Sequence, residues 1–144
     1  MLTENELIKF RRELHSYPET GWCEFVTTHK IVEKLRSFGL DPIYGRQVIN
    51  PEFVAGRNPA KVEEAKKAAL DKGVPPEFIE SMQDYTGVAA IFETGRPGPV
   101  LAIRFDMDCV DVDEAHEAGH RPFDEGWAST NPGHMHSCGH DGHT

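Results

Sequence analysis

Two short apolar runs in the second half of the chain constrain its fold more than any other feature. Residues 87–94 and 99–105 are rich in β-branched and aromatic residues, and the glycine- and proline-containing turn 95–99 separates them. Their apolar character is nearly continuous rather than alternating, as expected of strands that are covered on both faces. The pattern therefore predicts two neighbouring strands of a buried sheet.

The residues before these runs predict helices. A capping box formed by Thr3 and Glu6 predicts a first helix that runs to about Ser16. An apolar stripe predicts a second helix over about 23–38, which Gly39 would end. Helices followed by buried strands indicate an α/β layered domain.

Residues 50–84 read as a helical insertion on the surface of the main fold, because they contain few large apolar side chains. A short strand is predicted before it, around 42–48. Within the insertion, Asn58 would cap a helix over about 60–72, and a shorter helix is expected over 75–82. We expect residues 1–144 to belong to a single domain, of which they form one portion and which carries this insertion.

Composition excludes several classes of function. The chain has 24 Asp and Glu against 15 Lys and Arg, a formal charge of −9, whereas nucleic-acid and anionic-membrane surfaces need clustered basic residues. Cys23, Cys109 and Cys138 are odd in number and irregularly spaced, so no disulfide framework is expected. No apolar run approaches the roughly 18 residues of a membrane span, and no signal peptide is recognised. These features predict a cytoplasmic protein without nucleic-acid or membrane partners.

The densest group of potential metal ligands lies in residues 134–144. Cys138 and His140 flank a glycine that lets both side chains converge on one ion. Thiolate and imidazole suit Zn²⁺, and also Mn²⁺, Co²⁺ or Ni²⁺ when carboxylates complete the site. The further candidates in this loop are His134, His136 and His143, with Asp141 able to hold an imidazole in the correct tautomer. The alternative is a solvated His-rich stretch that binds metal adventitiously.

Several other carboxylates are candidates for a binding or catalytic site. Each of them could instead be an ordinary solvated acid. Asp106 and Asp108 follow the second predicted strand, where ligands bind in open α/β sheets, but they could equally be solvated acids at a strand end, as could Glu114 further along. Glu19 and Glu24 are expected to be surface carboxylates. The sequence contains no phosphate-binding glycine loop, no G-x-S-x-G elbow and no H-E-x-x-H motif.

Five motifs, taken in order, resemble the amidohydrolase branch of the M20 metallopeptidases, which includes aminoacylases, hippurate hydrolases and auxin-conjugate hydrolases. The motifs are Arg11–His15, Pro18–Gly21 with Glu24, Gly95–Pro99, Arg104–Asp108 and His136–His143. A closer resemblance is to the aminobenzoyl-glutamate hydrolases within this branch. That subgroup has a helical insertion comparable to 50–84 and stretches similar to His120–Phe123 and Gly126–Ser129.

The resemblance implies a three-layer α/β/α, zinc-peptidase-like catalytic domain with a two-metal centre, interrupted in the full-length protein by a dimerisation domain. By this resemblance, Cys138 and His140 are metal ligands, and Asp108 is the catalytic-site aspartate that supports the metal centre. Asp106 falls where other M20 branches have a ligating histidine, and it is not taken as a ligand here. The metal is expected to be zinc or manganese, without a choice between them.

The implied reaction is metal-dependent hydrolysis of the amide bond between an acyl group, of aminobenzoyl type, and an amino acid. The implied partners are a small N-acyl amino acid and either a second copy or a related subunit. Members of the family continue beyond the motifs found here, with the general-base glutamate and further ligands downstream. We therefore expect residues 1–144 to be an N-terminal portion of the catalytic domain, inactive alone and prone to self-association through unpaired strands. The alternative is a non-catalytic metal-binding remnant, or a complementing fragment that needs another chain.

Overall fold

Helices dominate the secondary structure of the computed structural model, which describes residues 2–144. The helices are α1 Glu4–His15, α2 Phe25–Ser37, α3 Pro59–Asp71, α4 Pro76–Met82, α5 Arg121–Asp124 and α6 His140–His143, and the strands are β1 Ile43–Tyr44 and β2 Val88–Ala89. The residues divide into two compact units. The first unit combines residues up to Gly21 with residues 105–144, and the second is Trp22–Arg104. None of the helices in the described range is both long and apolar enough for a transmembrane span.

In the first unit, helix α1 begins as predicted. The Thr3 hydroxyl accepts a hydrogen bond from the Glu6 backbone N–H, and the Glu6 carboxylate accepts one from the Thr3 backbone N–H. Leu14 and His15, at the C-terminal end of the helix, are its buried residues. Most of the rest of this unit is irregular loop that carries the short helices α5 and α6.

In the second unit, a small helical core packs around a two-stranded antiparallel sheet, with Ile43 opposite Ala89 and Tyr44 opposite Val88. The buried apolar residues here include Phe25, Val32, Val62, Ala69, Phe78, Ile79 and Met82. The Tyr44 ring stacks on Phe78 with their centroids 4.6 Å apart. Helix α3 is capped as predicted, because the Asn58 side chain accepts a hydrogen bond from the backbone N–H of Ala60 at 3.0 Å.

The strand predicted around 42–48 is shorter than expected. It ends after Tyr44, and a 3₁₀ turn, Gly45–Gln47, follows. Gly45 has a φ of 60°, and a Cβ there would lie 2.6 Å from the Cα of Met82. A glycine with a positive φ is therefore needed for the close approach of the chain to helix α4, and it also stops the extended strand.

The prediction of two neighbouring buried strands over 87–94 and 99–105 is wrong for the described residues. Only Val88–Ala89 forms a strand, and residues 91–103 make no backbone-to-backbone hydrogen bond within the described chain. Val100 is 98% exposed and Ile91 is 80% exposed. Apolar, β-branched runs become strands when neighbouring strands supply hydrogen-bond partners and apolar cover, and residues 2–144 provide no such strand beyond β1. We call residues 91–103 the exposed segment.

Candidate metal centre

Backbone hydrogen bonds in the first unit bring the Asp108 region beside the His-rich loop. Val110 and Met135 pair as an antiparallel bridge, and each donates its N–H to the other's carbonyl at 3.2 Å. The N–H of Cys109 donates to the carbonyl of Glu19 at 2.8 Å. The residues that follow Asp108 are therefore held from two sides, which sets where the Asp108 carboxylate lies.

Asp108 and His140 form the central contact of the site. The Nδ1 atom of His140 lies 2.8 Å from the backbone carbonyl of Asp108 and 3.0 Å from its Oδ1. Both oxygens accept hydrogen bonds and cannot donate, so Nδ1 carries the proton. In the neutral ring this leaves the Nε2 lone pair of His140 free for a metal, which is the common arrangement of a carboxylate-oriented histidine ligand.

Three possible donor side chains converge at this place. One ligand atom each from Asp106, His140 and His143 lies within 4.8 Å of the others. Thr144 Oγ1 lies 3.1 Å from the Asp106 carbonyl and 3.0 Å from the His140 carbonyl, which ties the two segments together. Oxygen and imidazole donors at this separation suit a borderline divalent ion.

Cys138 lies outside this group of three, and its side chain is exposed. Its assignment as a ligand therefore stays a prediction, as do the assignment of His140 as a ligand and that of Asp108 as the aspartate that supports the metal centre. His134 also lies apart from the group, because its Nδ1 is 2.9 Å from the Pro132 carbonyl and its Nε2 is 3.5 Å from Asp111.

His136 is buried and differs from the other histidines of the loop. Neither of its ring nitrogens has a hydrogen-bond partner among residues 2–144, and neither has Oδ1 of the buried Asp141. Burial lowers the pKa of His136, so its ring is neutral and keeps a lone pair. A buried polar atom without a partner costs about 1–3 kcal/mol, so these atoms are favourable places for an ion or a polar ligand to bind.

A buried cluster beside the loop was missed by the sequence analysis. His15 is 5% exposed, with Nδ1 3.0 Å from Asp141 Oδ2 and Nε2 3.0 Å from Glu114 Oε1. Glu114 also contacts His120 Nε2 at 2.8 Å and accepts a hydrogen bond from the Ser129 N–H. Of the two alternatives left open for this stretch, the solvated acid does not apply to Glu114, whose side chain is completely shielded from solvent. The sequence did contain a signal for this cluster. Arg11 and His15 are four residues apart, so they lie on the same face of the predicted helix and can contact the same partner.

In this cluster the histidine and the two carboxylates stabilise one another's charged forms. Burial alone would lower the pKa of His15, but its hydrogen bonds to Asp141 and Glu114 outweigh burial and raise that pKa above its ordinary value. Burial would raise the pKa of each carboxyl, yet the hydrogen bond with His15 and other donors lower the pKa of Glu114 and of Asp141. Arg11 adds a charge 3.1 Å from Asp141 Oδ2.

Two further carboxylates differ from expectation. Glu19 and Glu24, predicted at the surface, are each 6% exposed. In the second unit, Glu24 accepts a hydrogen bond from the hydroxyl of Thr86. In the first unit, burial and the nearby carboxylates of Asp111, Asp108 and Glu19 raise the pKa of Cys109 to about 12, so this thiol stays protonated at neutral pH.

Comparison with known proteins shows which proteins this chain is similar to. A homolog of one p-aminobenzoyl-glutamate hydrolase subunit, from Haemophilus influenzae, is 46% identical over 140 residues, covering 96% of this chain and 33% of that protein. The indole-3-acetyl-aspartic acid hydrolase of Enterobacter agglomerans is 43% identical over 141 residues, covering 96% of this chain and 32% of that protein. No protein-family model matches the sequence.

Two solved structures are similar in fold. The crystal structure of an aminobenzoyl-glutamate utilization protein from Klebsiella pneumoniae matches with a TM-score of 0.68 and 34% identity, covering 74% of this chain and 28% of that one. The YXEP protein of Bacillus subtilis, described as a dinuclear metal binding peptidase from the M20 family, matches with a TM-score of 0.57 and 27% identity, covering 95% of this chain and 26% of that one. The chain is homologous to M20 family peptidases.

This homology confirms the resemblance that the motifs indicated, and with it the α/β class of a catalytic domain from M20 hydrolases. The chain spans about a third of the length of the curated relatives it matches, 33% and 32% for the two named above. The small sheet and the exposed segment are consistent with a part of an α/β domain.

Proposed function

We propose that this chain provides the metal-binding part of an M20-type amidohydrolase, which cleaves the amide bond between an acyl group and an amino acid. The observation that carries the proposal is the contact of His140 with Asp108, which leaves Nε2 of an oriented imidazole free within the group of donors formed with Asp106 and His143. When bound, a divalent metal supplies Lewis acidity toward the amide carbonyl.

The roles of this chain's own residues follow from their contacts. His140 would hold the metal, with Cys138 as a second ligand by homology. Asp108 accepts the Nδ1 hydrogen bond and so keeps the His140 ring in the tautomer that a ligand needs. His143 and Asp106 are close enough to His140 to complete the donor set. Zinc and manganese both suit imidazole with thiolate or carboxylate, and we infer one of these two.

The substrate class is inferred from what two relatives have in common. One relative is named for p-aminobenzoyl-glutamate and the other for indole-3-acetyl-aspartate. In both compounds an aromatic acyl group is joined through an amide to an acidic amino acid. We infer that the whole protein acts on an aromatic N-acyl derivative of an acidic amino acid, with the aminobenzoyl group favoured by the higher identity.

The remaining parts of the active site would come from polypeptide that these residues do not match in the relatives. The relative of H. influenzae is named as a homolog of one hydrolase subunit, so the proposed partner is either a second copy or a related chain. We expect the 144 residues alone to be inactive, because they present three clustered donors and no assigned general base. Three free cysteines fit a reducing, cytoplasmic compartment.

Metal content tests the proposal directly. The purified 144-residue chain is equilibrated with Zn²⁺ or Mn²⁺ and analysed by mass spectrometry, alongside His140→Ala, Cys138→Ala and the matched control His134→Ala. We expect bound metal in the wild type and in His134→Ala, and a loss of at least about tenfold in affinity in His140→Ala. Metal binding that is equal in all four proteins would contradict the proposed site.

Activity is tested by co-expressing the chain with the unmatched two thirds of the H. influenzae relative. Hydrolysis of p-aminobenzoyl-glutamate and of indole-3-acetyl-aspartate is measured for the chain alone and for the pair. Activity of the pair that depends on metal and on His140 supports the amidohydrolase proposal. A folded, metal-loaded pair that cleaves neither compound would favour the non-catalytic, metal-binding alternative.

A further inference from the structure

The strongest unexplained feature is a histidine held between two buried carboxylates. Each ring nitrogen of His15 is 3.0 Å from a carboxylate oxygen, Nδ1 from Asp141 and Nε2 from Glu114. Both carboxylate side chains are completely shielded from solvent, and the His15 side chain is 6% exposed. The proposed metal centre does not use this ring.

The hydrogen bonds determine where the protons lie. An ionised carboxylate accepts hydrogen bonds and has none to donate, so two such contacts require a proton on both ring nitrogens. The alternative is a protonated carboxyl group on one side. That alternative is disfavoured, because Asp141 Oδ2 also receives Arg11 Nε at 3.1 Å, and Glu114 also receives the N–H of Ser129. Extra donors stabilise the ionised carboxylates, so the proton belongs to His15.

We propose that His15 is an imidazolium that acts as a positioning residue, orienting the His140–His143 turn through Asp141. We call His15, Glu114 and Asp141 the imidazolium clamp. The part of the proposal that concerns metal affinity rests on the proposed function, whereas the charge state of His15 stands on the hydrogen bonds alone.

The turn depends on such a contact because of its size. Helix α6 is a single turn of 4 residues, and its N-cap Gly139 has no side chain to cap it. One turn of helix is unstable by itself, so tertiary contacts must hold it. Asp141 is its second residue and lies directly after His140. Fixing the Asp141 carboxylate against helix α1 therefore limits where the His140 ring can point.

The clamp also joins three parts of the first unit. His15 ends helix α1, Glu114 lies in the loop after Val110, and Asp141 lies in helix α6. Trp127 covers one side of the His15 ring with an edge contact at 4.9 Å between centroids. An ion pair that is shielded in this way resists screening by salt and keeps its geometry.

The charge state is tested by nitrogen NMR on the full 144-residue chain with ¹⁵N-labelled histidine, at neutral to mildly alkaline pH without metal. We expect both ring nitrogens of His15 to have the chemical shift of protonated nitrogen. A neutral tautomer of His15 under these conditions would overturn the proposal.

The positioning role is tested with His15→Gln, whose amide group offers donors at one end and so can serve only one of the two carboxylates. His116→Gln is the matched control, since His116 is an exposed histidine of the same unit. We expect Zn²⁺ affinity to fall about 10–100-fold in His15→Gln and to be unchanged in the control. We also expect the Nδ1 proton of His140 to lose its protection from exchange, a change that general destabilisation would not confine to that proton.

The outcomes separate this proposal from the proposed function. If the wild type binds no Zn²⁺, the metal site fails while the NMR result still decides the charge state of His15. If the wild type binds Zn²⁺ and a folded His15→Gln binds it equally well, the positioning role is overturned and the metal site stands. If His15→Gln does not fold, Arg11→Gln takes its place, because Arg11 donates to the same Asp141 oxygen from a half-exposed position. Its expected effect is a smaller loss of Zn²⁺ affinity, and no loss would overturn the proposal.

Discussion

The imidazolium clamp of the first unit and the exposed segment of the second unit reverse the usual distribution of polar and apolar groups. In the clamp, His15, Glu114 and Asp141 are buried with their charges paired. In the exposed segment, apolar side chains such as Val100 and Ile103 are 98% and 74% exposed. The clamp is complete within its own unit, whereas the exposed segment has no backbone-to-backbone hydrogen bond and little apolar cover in the described chain.

The difference shows which interactions a chain of this length can satisfy by itself. A polar cluster is complete once a few donors and acceptors meet, and those groups are spread over residues 11–141 of this chain. A buried strand needs whole neighbouring strands and covering layers. The relatives are about three times as long, so their additional polypeptide is the natural source of those layers.

The largest expected effect comes from breaking the clamp. Replacing Glu114 by Ala leaves the buried His15 imidazolium without one partner and removes the acceptor for the Ser129 N–H. We expect the free energy of unfolding to fall by about 3–5 kcal/mol, the range for one partner removed from a buried ion pair. Urea denaturation followed by hydrogen exchange in the first unit measures the change. The control Glu117→Ala removes an exposed glutamate of the same loop, and a similar small effect in both variants would contradict the clamp.

The second test uses pH to sharpen the comparison. Because the pKa of His15 is raised, its contribution to stability is present below its ordinary value of 6.5 and is lost as pH rises through the higher value in the folded chain. Because the pKa values of Glu114 and Asp141 are lowered, their contribution is present above their ordinary values of 4.5 and 3.8 and is lost as pH falls through the lower folded values.

Protection of the first unit from hydrogen exchange should therefore be greatest between these two limits and decline on both sides. His15→Gln should remove the alkaline decline and leave the acid decline smaller. An alkaline decline of the same size in the variant would assign it to another group. Hydrogen-exchange protection in the exposed segment should not change at either of these two pH limits.

The smallest expected effect concerns self-association through the exposed segment. Replacing Val100 and Ile103 by Asp puts charge on apolar surface that can pair with a second copy. We expect self-association, measured by sedimentation velocity, to weaken at least about tenfold, or about 1.4 kcal/mol. Phe53→Asp is the control, since Phe53 is 84% exposed but lies outside the segment. A wild type that is monomeric at high concentration would show that the exposed segment does not self-associate.

The loop of candidate ligands was found in the sequence because those residues are neighbours there, and helices α1 and α3 were found because their caps are local. Thr3 with Glu6, and Asn58 with Ala60, form their hydrogen bonds within a few residues, so these capping motifs can be recognised from the sequence. The contact between Asp108 and His140 was expected only through the family resemblance, since 32 residues separate them.

What the sequence alone determined about this protein is therefore helices α1 to α4, its resemblance to M20 hydrolases and the loop that carries the candidate ligands. Only the tertiary structure decided that Glu19, Glu24 and Glu114 are buried, that His15 lies between two carboxylates, and that residues 91–103 stay irregular and exposed. The physical reason is the distance along the chain over which each interaction acts. Capping and helix propensity act over a turn of chain, whereas burial of a charge and formation of a strand depend on partners that are distant in sequence or absent from these residues.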